Sequence, residues 1–412
     1  MTPHILFLSS FLVPERLSWI EQVLMYHYTR ESPGQPKDTG TQETFTLFLT
    51  GDALYSLCEN ESRQAWSVIL SLPQVRLVCD RDARSLRGIG FEQIRERFPD
   101  RITECPRSGE DSRSFWSALI GQSLETPPSP AVTKEIGWLE VSTPYMHGSP
   151  WNGIRCLSAA LDAGCGVSLF ACLDGCHICH AGQNPEECGN VGAALETLGQ
   201  HAVQKNLPCT IIASRNCASA RGYATWDDGQ GTVVSLFTLK NAHIRDLEVI
   251  IRHIRSIPVL LAENAGCISS GDMSVPRDPA THADPVPQVV ILITHSPYRT
   301  EHAYGGITFA AACAHQRIRT SVVFIEDGIF ALTGEHQPLQ GSESDLIPEL
   351  VALLSGSNNL RFYALASSLQ KRGLTKNANL AAVTEIGYPD LAALFFCQPD
   401  GKAFGRTRIL LF

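Results

Sequence analysis

Short apolar runs of β-strand character alternate with amphipathic segments along most of this chain. Runs such as HILFLSS, GVSLFACL and VVILITHS are rich in Val, Ile, Leu and Phe, as expected for strands buried on both faces. Between them, segments such as WNGIRCLSAALDAG have the apolar spacing of a helix with one buried face. The alternation predicts an α/β fold with mostly parallel sheets, in which helices flank the strands to form a three-layer α/β/α sandwich.

The same order of elements occurs three times. Each time, a strand and a helical segment lead to a second strand that closes on an aspartate, and a third strand later ends near Arg-Gly. The landmarks are Asp52 with Arg87 and Gly88, then Asp174 and Gly175 with Arg221 and Gly222, then Asp327 and Gly328 with Arg372 and Gly373. Residues 123–135 and 264–288 are rich in Pro, Ser, Gly and Asp and are predicted linkers without strands or helices. The predicted tandem domains are therefore 1–122, 136–263 and 289–412.

Composition and charge exclude several classes of function. The 412 residues include 44% hydrophobic and 18% charged residues, which is typical of globular domains. A net charge of −9 gives no general reason to bind nucleic acid. No apolar stretch is long enough to span a membrane, and the N-terminal run lacks the basic residues and cleavage site of a signal peptide. We therefore expect a cytoplasmic protein with no direct nucleic-acid or membrane partner.

Cysteines are concentrated in the middle of the chain. Of 14 cysteines, eight lie in one stretch: Cys156, Cys165, Cys172, Cys176, Cys179, Cys188, Cys209 and Cys217. Because no secretion signal is present, reduced thiols, metal ligands or redox groups are expected rather than a disulfide framework.

The stretch CTIIASRNCASARG places Cys217 between Arg215 and Arg221, where a predicted strand gives way to a turn. Nearby guanidinium groups and the N–H groups of a first helical turn lower the pKa of a thiol, so this pattern is typical of a stabilised thiolate. The alternative is that Cys217 is a small core residue and the arginines are solvated.

The stretch CHICHAGQNPEEC allows several interpretations. Cys176, Cys179 and His180 form the Cys-x-x-Cys-His pattern of covalent haem attachment. Cys176, Cys179, His180 and Cys188 could instead provide the four thiolate and imidazole ligands of a structural zinc site. The stretch could also be a reduced loop without chemistry of its own.

These motifs together resemble the DsrE/DsrF/DsrH sulfur-relay family, also known as the TusD/TusC/TusB type. The resemblance rests on STPY and HSPY after the first strand of a copy, LDG and EDG after the second, and CASARG after the third. The second copy is most similar to DsrE, and the third is similar to DsrF with a DsrH-like tail. The landmarks of the first copy are degenerate.

The resemblance implies a sulfurtransferase that carries sulfane sulfur as a cysteine persulfide, in tRNA thiolation or sulfur oxidation. It implies sulfur-donor and sulfur-acceptor proteins as partners, no required cofactor, and a homodimer that would rebuild the six-domain assembly of the family. A scaffold protein with zinc or haem in the Cys-rich loop is the alternative.

The resemblance also assigns roles to individual residues. Cys217 would be the carrier, and Ser214 stands at the outer position, where many relatives have a second cysteine. Cys176 and Cys179 would act as resolving or secondary sulfur-accepting thiols. The third copy has Leu365 at the matching place and lacks a carrier thiol, and in the first copy Cys79 is one residue out of register.

Overall fold

The computed structural model describes residues 4–29, 44–98, 101–105, 114–124, 134–145, 148–183, 189–227, 231–234, 238–269, 288–298, 300–333, 347–375, 381–396 and 406–412. The chain divides into two compact units. Unit 1 comprises Met1–Glu104 and Asn264–Phe412, and unit 2 comprises Cys105–Glu263. The domain boundaries expected from the sequence stay predictions.

Strands and helices are numbered in chain order. The strands are β1 (His4–Leu8), β2 (Phe45–Leu49), β3 (Val75–Cys79), β4 (Ile102–Glu104), β5 (Glu135–Glu140), β6 (Gly166–Ala171), β7 (Cys209–Ser214), β8 (Ala224–Asp227), β9 (Gly231–Val234), β10 (Ala242–Arg245), β11 (Val259–Ala262), β12 (Gly266–Ser269), β13 (Gln288–Ile293), β14 (Arg319–Phe324), β15 (Leu360–Leu365), β16 (Thr384–Ile386) and β17 (Arg406–Leu411). The α-helices are α1 (Pro14–Thr29), α2 (Arg63–Ser71), α3 (Arg81–Leu86), α4 (Phe91–Arg97), α5 (Phe115–Leu124), α6 (Ser149–Asp162), α7 (Val191–Gln204), α8 (Arg215–Ala220), α9 (Leu247–Ser256), α10 (His302–His315), α11 (Ile347–Leu354), α12 (Ala366–Lys371) and α13 (Tyr388–Phe396). Three 3-10 helices span Gly51–Leu57, Leu173–Cys179 and Glu326–Leu332.

Unit 2 is built on a five-stranded sheet in the order β10-β7-β6-β5-β11. All four pairings in it are parallel, and α6 packs against β5 and β6. Trp138 and Phe170 are fully buried in its core, where each large apolar side chain contributes about 1.5–3 kcal/mol. The predicted α/β class with parallel sheets is confirmed.

Unit 1 contains a ten-stranded sheet in the order β16-β15-β14-β13-β17-β12-β1-β2-β3-β4. Strand β12 joins the strands of the first copy to those of the third, because it pairs antiparallel with both β1 and β17. This strand lies inside 264–288, so the prediction that this segment lacks a strand is wrong. GCIS has a weak local strand signal, and its conformation is set by hydrogen bonding along both edges. Residues 125–133 and 270–287, which make up most of the two predicted linkers, lie outside the described residues.

Helices α1 and α13 of unit 1 pack against each other and add a side-chain interface to the shared sheet. Trp19 contacts Phe395 edge to face at 6.2 Å, and the ring of His27 stacks on Phe396 at 3.7 Å between centroids. Aromatic pairs of this kind contribute about 0.5–1.5 kcal/mol beyond their area. The first and third copies therefore share one core in unit 1.

One local motif occurs after the second strand of every copy. The 3-10 helix begins with a residue at positive φ, and the aspartate that follows pairs with the arginine at the end of the helix after the third strand. The residue after this arginine is a glycine, also at positive φ, where any other residue would be strained. The equivalent residues are Gly51, Asp52, Arg87 and Gly88; Leu173, Asp174, Arg221 and Gly222; and Glu326, Asp327, Arg372 and Gly373.

None of the helices in the described part of the chain is both long enough and apolar enough to cross a bilayer.

Candidate functional site

The candidate site lies where two neighbouring parallel strands of unit 2 end. Strand β6 leads through Cys172 into the 3-10 helix Leu173–Cys179, and β7 leads directly into α8. Because parallel strands end at the same edge of a sheet, Cys176 on the 3-10 helix and Cys217 on α8 come together.

Backbone geometry fixes the 3-10 helix against the sheet. A Cβ on Gly175 would lie 2.2 Å from the carbonyl oxygen of Glu140, at the end of β5. Leu173 has φ 50°, a left-handed conformation that is costly for a branched side chain. The close approach and the unusual turn direct the N–H of Leu173 towards the sulfur of Cys217.

Three hydrogen-bond donors converge on the sulfur of Cys217, which is half-buried. They are the thiol of Cys176, the hydroxyl of Ser214 and the backbone N–H of Leu173. The hydrogen bond from Cys176 is the largest of the effects that lower the pKa of Cys217 to about 6, against the opposing effect of burial. A thiol with this pKa is roughly nine-tenths ionised at pH 7.

Cys176 stays protonated because the hydrogen bond to Cys217 and complete burial raise its pKa well above the ordinary range. A thiol has one hydrogen, and the Cys176 sulfur also lies 3.3 Å from the carbonyl oxygen of Ala171. A hydrogen bond to an anion is about twice as strong as one to a neutral group, so the hydrogen is directed to Cys217 when that thiol is ionised. Cys176 is therefore placed as a donor to the Cys217 thiolate.

The two arginines beside Cys217 have different surroundings. Arg221 donates from Nε to Asp174 at 3.0 Å and from Nη1 to the carbonyl of Cys217 at 3.2 Å, and its charge is the weakest of the effects that lower the pKa of Cys217. Arg215 forms an ion pair with Asp246 at 2.9 Å. The sequence predicted that both arginines stabilise a Cys217 thiolate. In the structure, the hydrogen-bond donors Cys176, Ser214 and Leu173 lower the pKa of Cys217 more than Arg221 does.

Cys179 and His180 are not among the residues that influence the pKa of Cys217. Burial raises the pKa of Cys179 to about 12, and the ring of His180 stacks on Tyr223 at 5.5 Å. Cys188 lies outside the described residues. Within the described ranges, no group of three or more His, Cys, Asp and Glu side chains is arranged to hold a metal ion. The zinc and haem interpretations of the Cys-rich loop stay predictions that metal analysis and a visible spectrum check.

A contact between His177 and Tyr223 lies near the site and was not predicted from the sequence. The Nδ1 atom of His177 lies 2.7 Å from the hydroxyl of Tyr223, and the exposed ring of Tyr145 lies 5.9 Å from the His177 ring. Burial lowers the pKa of His177 and raises that of Tyr223 to about 12, so a neutral imidazole and a protonated phenol share this hydrogen bond at pH 7. Tyr223 follows Gly222 directly, which is the signal that could have drawn attention to it.

Glu140 is a buried carboxyl group behind the 3-10 helix. It accepts hydrogen bonds from the indole of Trp138 at 3.1 Å, the N–H of Ser142 at 2.8 Å and the hydroxyl of Ser149 at 2.9 Å. Burial, followed by the charge of Glu263, raises its pKa to about 8. These contacts link the end of β5 to the first turn of α6.

The third copy has a serine where the second has Cys217. Leu365 is the residue before α12, as Ser214 is before α8, so Leu365 corresponds to Ser214 and Ser368 corresponds to Cys217. Leu365, given from the sequence as the matching place without a thiol, is therefore the counterpart of Ser214, and the counterpart of Cys217 is Ser368. The N–H of Glu326 donates to Oγ of Ser368 at 3.1 Å, as the N–H of Leu173 does to Cys217.

Comparison with known proteins finds a similarity for part of the chain. A model described as the DsrE/DsrF-like family matches residues 288–396. This segment is similar to that family. It belongs to the third copy, which contains Ser368 in place of a carrier thiol.

Among solved structures, the chain is similar to the crystal structure of the ychN protein from E. coli, with 18% identity and a TM-score of 0.25. The alignment covers 32% of this chain and 99% of that one. No curated protein matches the chain.

Proposed function

We propose that unit 2 is a sulfur carrier, or sulfurtransferase, that holds sulfane sulfur as a persulfide on Cys217. The observation that carries the proposal is the convergence of the Cys176, Ser214 and Leu173 donors on one half-buried sulfur. Sulfur transfer requires a thiolate that is ionised near neutral pH and that another protein can reach. Hydrogen bonding to the sulfur supports the first requirement, and the half-buried position of Cys217 where the strands end supports the second.

The chemistry is an exchange at sulfur. The Cys217 thiolate attacks the terminal sulfur of a donor persulfide, the donor S–S bond breaks, and its electron pair leaves with the donor thiolate. The same donors then hydrogen-bond the sulfur of the bound persulfide. Transfer to an acceptor repeats the step in the opposite sense, so no external oxidant or reductant is needed.

The family match supports this proposal indirectly. DsrE-like proteins are associated with sulfur relay, and the matched segment contains the Asp327–Arg372 pair and the 3-10 helix that unit 2 repeats around Cys217. On this view the second copy is the carrier, the first and third copies are DsrE-like scaffolds, and the partners are sulfur-donor and sulfur-acceptor proteins. The homodimer stays a prediction that a mass measurement in solution checks.

Loading with inorganic polysulfide followed by peptide mass spectrometry tests the proposed function. We expect the Cys217-containing peptide to gain one sulfur atom, and the variant Cys217→Ser to lose this gain. Cys209→Ser is the matched control, because Cys209 is also half-buried in unit 2 while burial raises its pKa. Sulfur that loads equally well onto other cysteines in Cys217→Ser would show that the assignment is wrong.

A further inference from the structure

In unit 1, a carboxylate from α1 reaches the residue that corresponds to Cys217. Oε1 of Glu15 accepts a hydrogen bond from the hydroxyl of Ser368 at 2.7 Å. Nη1 of Arg372 donates to both carboxylate oxygens, at 3.2 and 3.0 Å. Unit 1 thus contains an anion that an arginine holds within hydrogen-bonding distance of the carrier position.

The groups that bind this anion recur in unit 2. Arg372 donates from Nε to Asp327 at 3.1 Å and from Nη1 to the carbonyl of Ser368 at 3.4 Å. Arg221 makes the equivalent contacts with Asp174 and with the carbonyl of Cys217, at 3.0 and 3.2 Å. The aspartate in each copy therefore orients the guanidinium in the same way, with Nη1 towards the residue at the carrier position.

The other hydrogen bonds near this site in unit 1 have no equivalent in unit 2. Arg16 and Trp19 bind the carboxylate of Glu326, and unit 2 has Leu173 at that position, which cannot accept these hydrogen bonds. The shared part of the two sites is limited to an arginine oriented by an aspartate beside a serine or cysteine. In unit 1 this part binds the carboxylate of Glu15.

We propose that Arg221 binds the anionic group that approaches Cys217, which in sulfur transfer is the thiolate of a partner's cysteine. The inference rests on the proposed function of Cys217 as the reacting sulfur. During transfer, the partner thiolate attacks the terminal sulfur of the Cys217 persulfide, the S–S bond breaks, and the negative charge passes to Cys217. The partner thiolate is negative as it approaches, and Cys217 becomes negative as the S–S bond breaks. The positive charge of Arg221 offsets the repulsion that these charges would otherwise cause. The main role of Arg221 is then to bind the partner's thiolate, and lowering the pKa of Cys217 is a smaller effect.

Alkylation with reagents of different charge tests this role without any sulfur transfer. Iodoacetate carries the same carboxylate as Glu15, and iodoacetamide is its neutral equivalent; with both, the Cys217 thiolate displaces iodide. The ratio of the two rates on the Cys217 peptide is independent of the thiolate fraction, so it separates anion binding from activation. We expect Arg221→Gln to lower the iodoacetate-to-iodoacetamide ratio about three- to tenfold, as for a partly desolvated charge pair.

Lys205→Gln is the control, because it removes one positive charge from unit 2 at an ion pair with Asp162. Its ratio should equal that of the wild type. An unchanged ratio in Arg221→Gln would overturn the anion-binding role even if Cys217 accepts sulfur from polysulfide. A lowered ratio with no sulfur loading would instead retain the anion site and reject the proposed function.

Discussion

Replacing Cys176 by alanine is expected to raise the pKa of Cys217 by about one to two units, because it removes the largest of the hydrogen bonds that hold that pKa low. At pH 7 the thiolate fraction would fall from roughly nine-tenths to between about a half and about a tenth. The pH dependence of Cys217 alkylation, read from the Cys217 peptide, measures the shift. Cys179→Ala is the matched control, because Cys179 is equally buried on the same 3-10 helix.

Cys176→Ser separates two roles for Cys176. A serine hydroxyl donates the same hydrogen bond but cannot accept sulfane sulfur, so we expect this variant to keep the low pKa of Cys217 and to load persulfide normally. If Cys176 is instead a resolving thiol, as the family resemblance implied, Cys176→Ser would keep the pKa and fail to pass sulfur on. A pKa that does not move in Cys176→Ala would contradict the hydrogen-bond explanation.

The variant Glu326→Leu is expected to destabilise unit 1 by about 3–5 kcal/mol, because it leaves Arg16 buried without its carboxylate. The pair is bidentate, with contacts of 3.0 and 2.7 Å, and both side chains are less than a tenth exposed. Leucine is a suitable replacement because Leu173 adopts the same positive φ at the equivalent position in unit 2. Urea unfolding followed by circular dichroism measures the loss.

The double variant Arg16→Met with Glu326→Leu should recover most of the stability, because hydrophobic residues can replace a buried ion pair at little cost. Glu349→Leu, at an exposed position of α11, controls for the loss of a carboxylate from unit 1. If the double variant is as unstable as the sum of the two single variants, the explanation by an unpaired buried charge is wrong.

Much of the fold could be predicted because buried parallel strands leave continuous apolar runs. The aspartate and Arg-Gly landmarks of the three copies also fall at equivalent points of the structure. Strand β12 could not be predicted, because its four residues include only one strong strand former, Ile268, and are held by pairing with β1 and β17. The packing of α1 on α13 depends on residues far apart in sequence and leaves no local pattern.

For the site, the sequence shows Cys217 and its flanking arginines but not the hydrogen-bond donors that the fold brings to the sulfur. Flanking arginines are visible in a sequence, whereas the N–H of Leu173 and the buried thiol of Cys176 reach Cys217 only through the turn after β6. Arg215 lies two residues before Cys217 in the sequence yet pairs with Asp246. Ser368 was not singled out because leucine, alanine and serine at the end of β15 give no signal of where the strand ends.

The most direct test of the account is the pKa of Cys217 itself, taken from its alkylation rate across the pH range in the wild-type protein. We expect the alkylation rate to be half-maximal at the pH that equals a pKa of about 6 for Cys217. Reactivity that appears only near the ordinary thiol pKa of about 8.5, or a Cys217 that does not react in the folded protein, would contradict it.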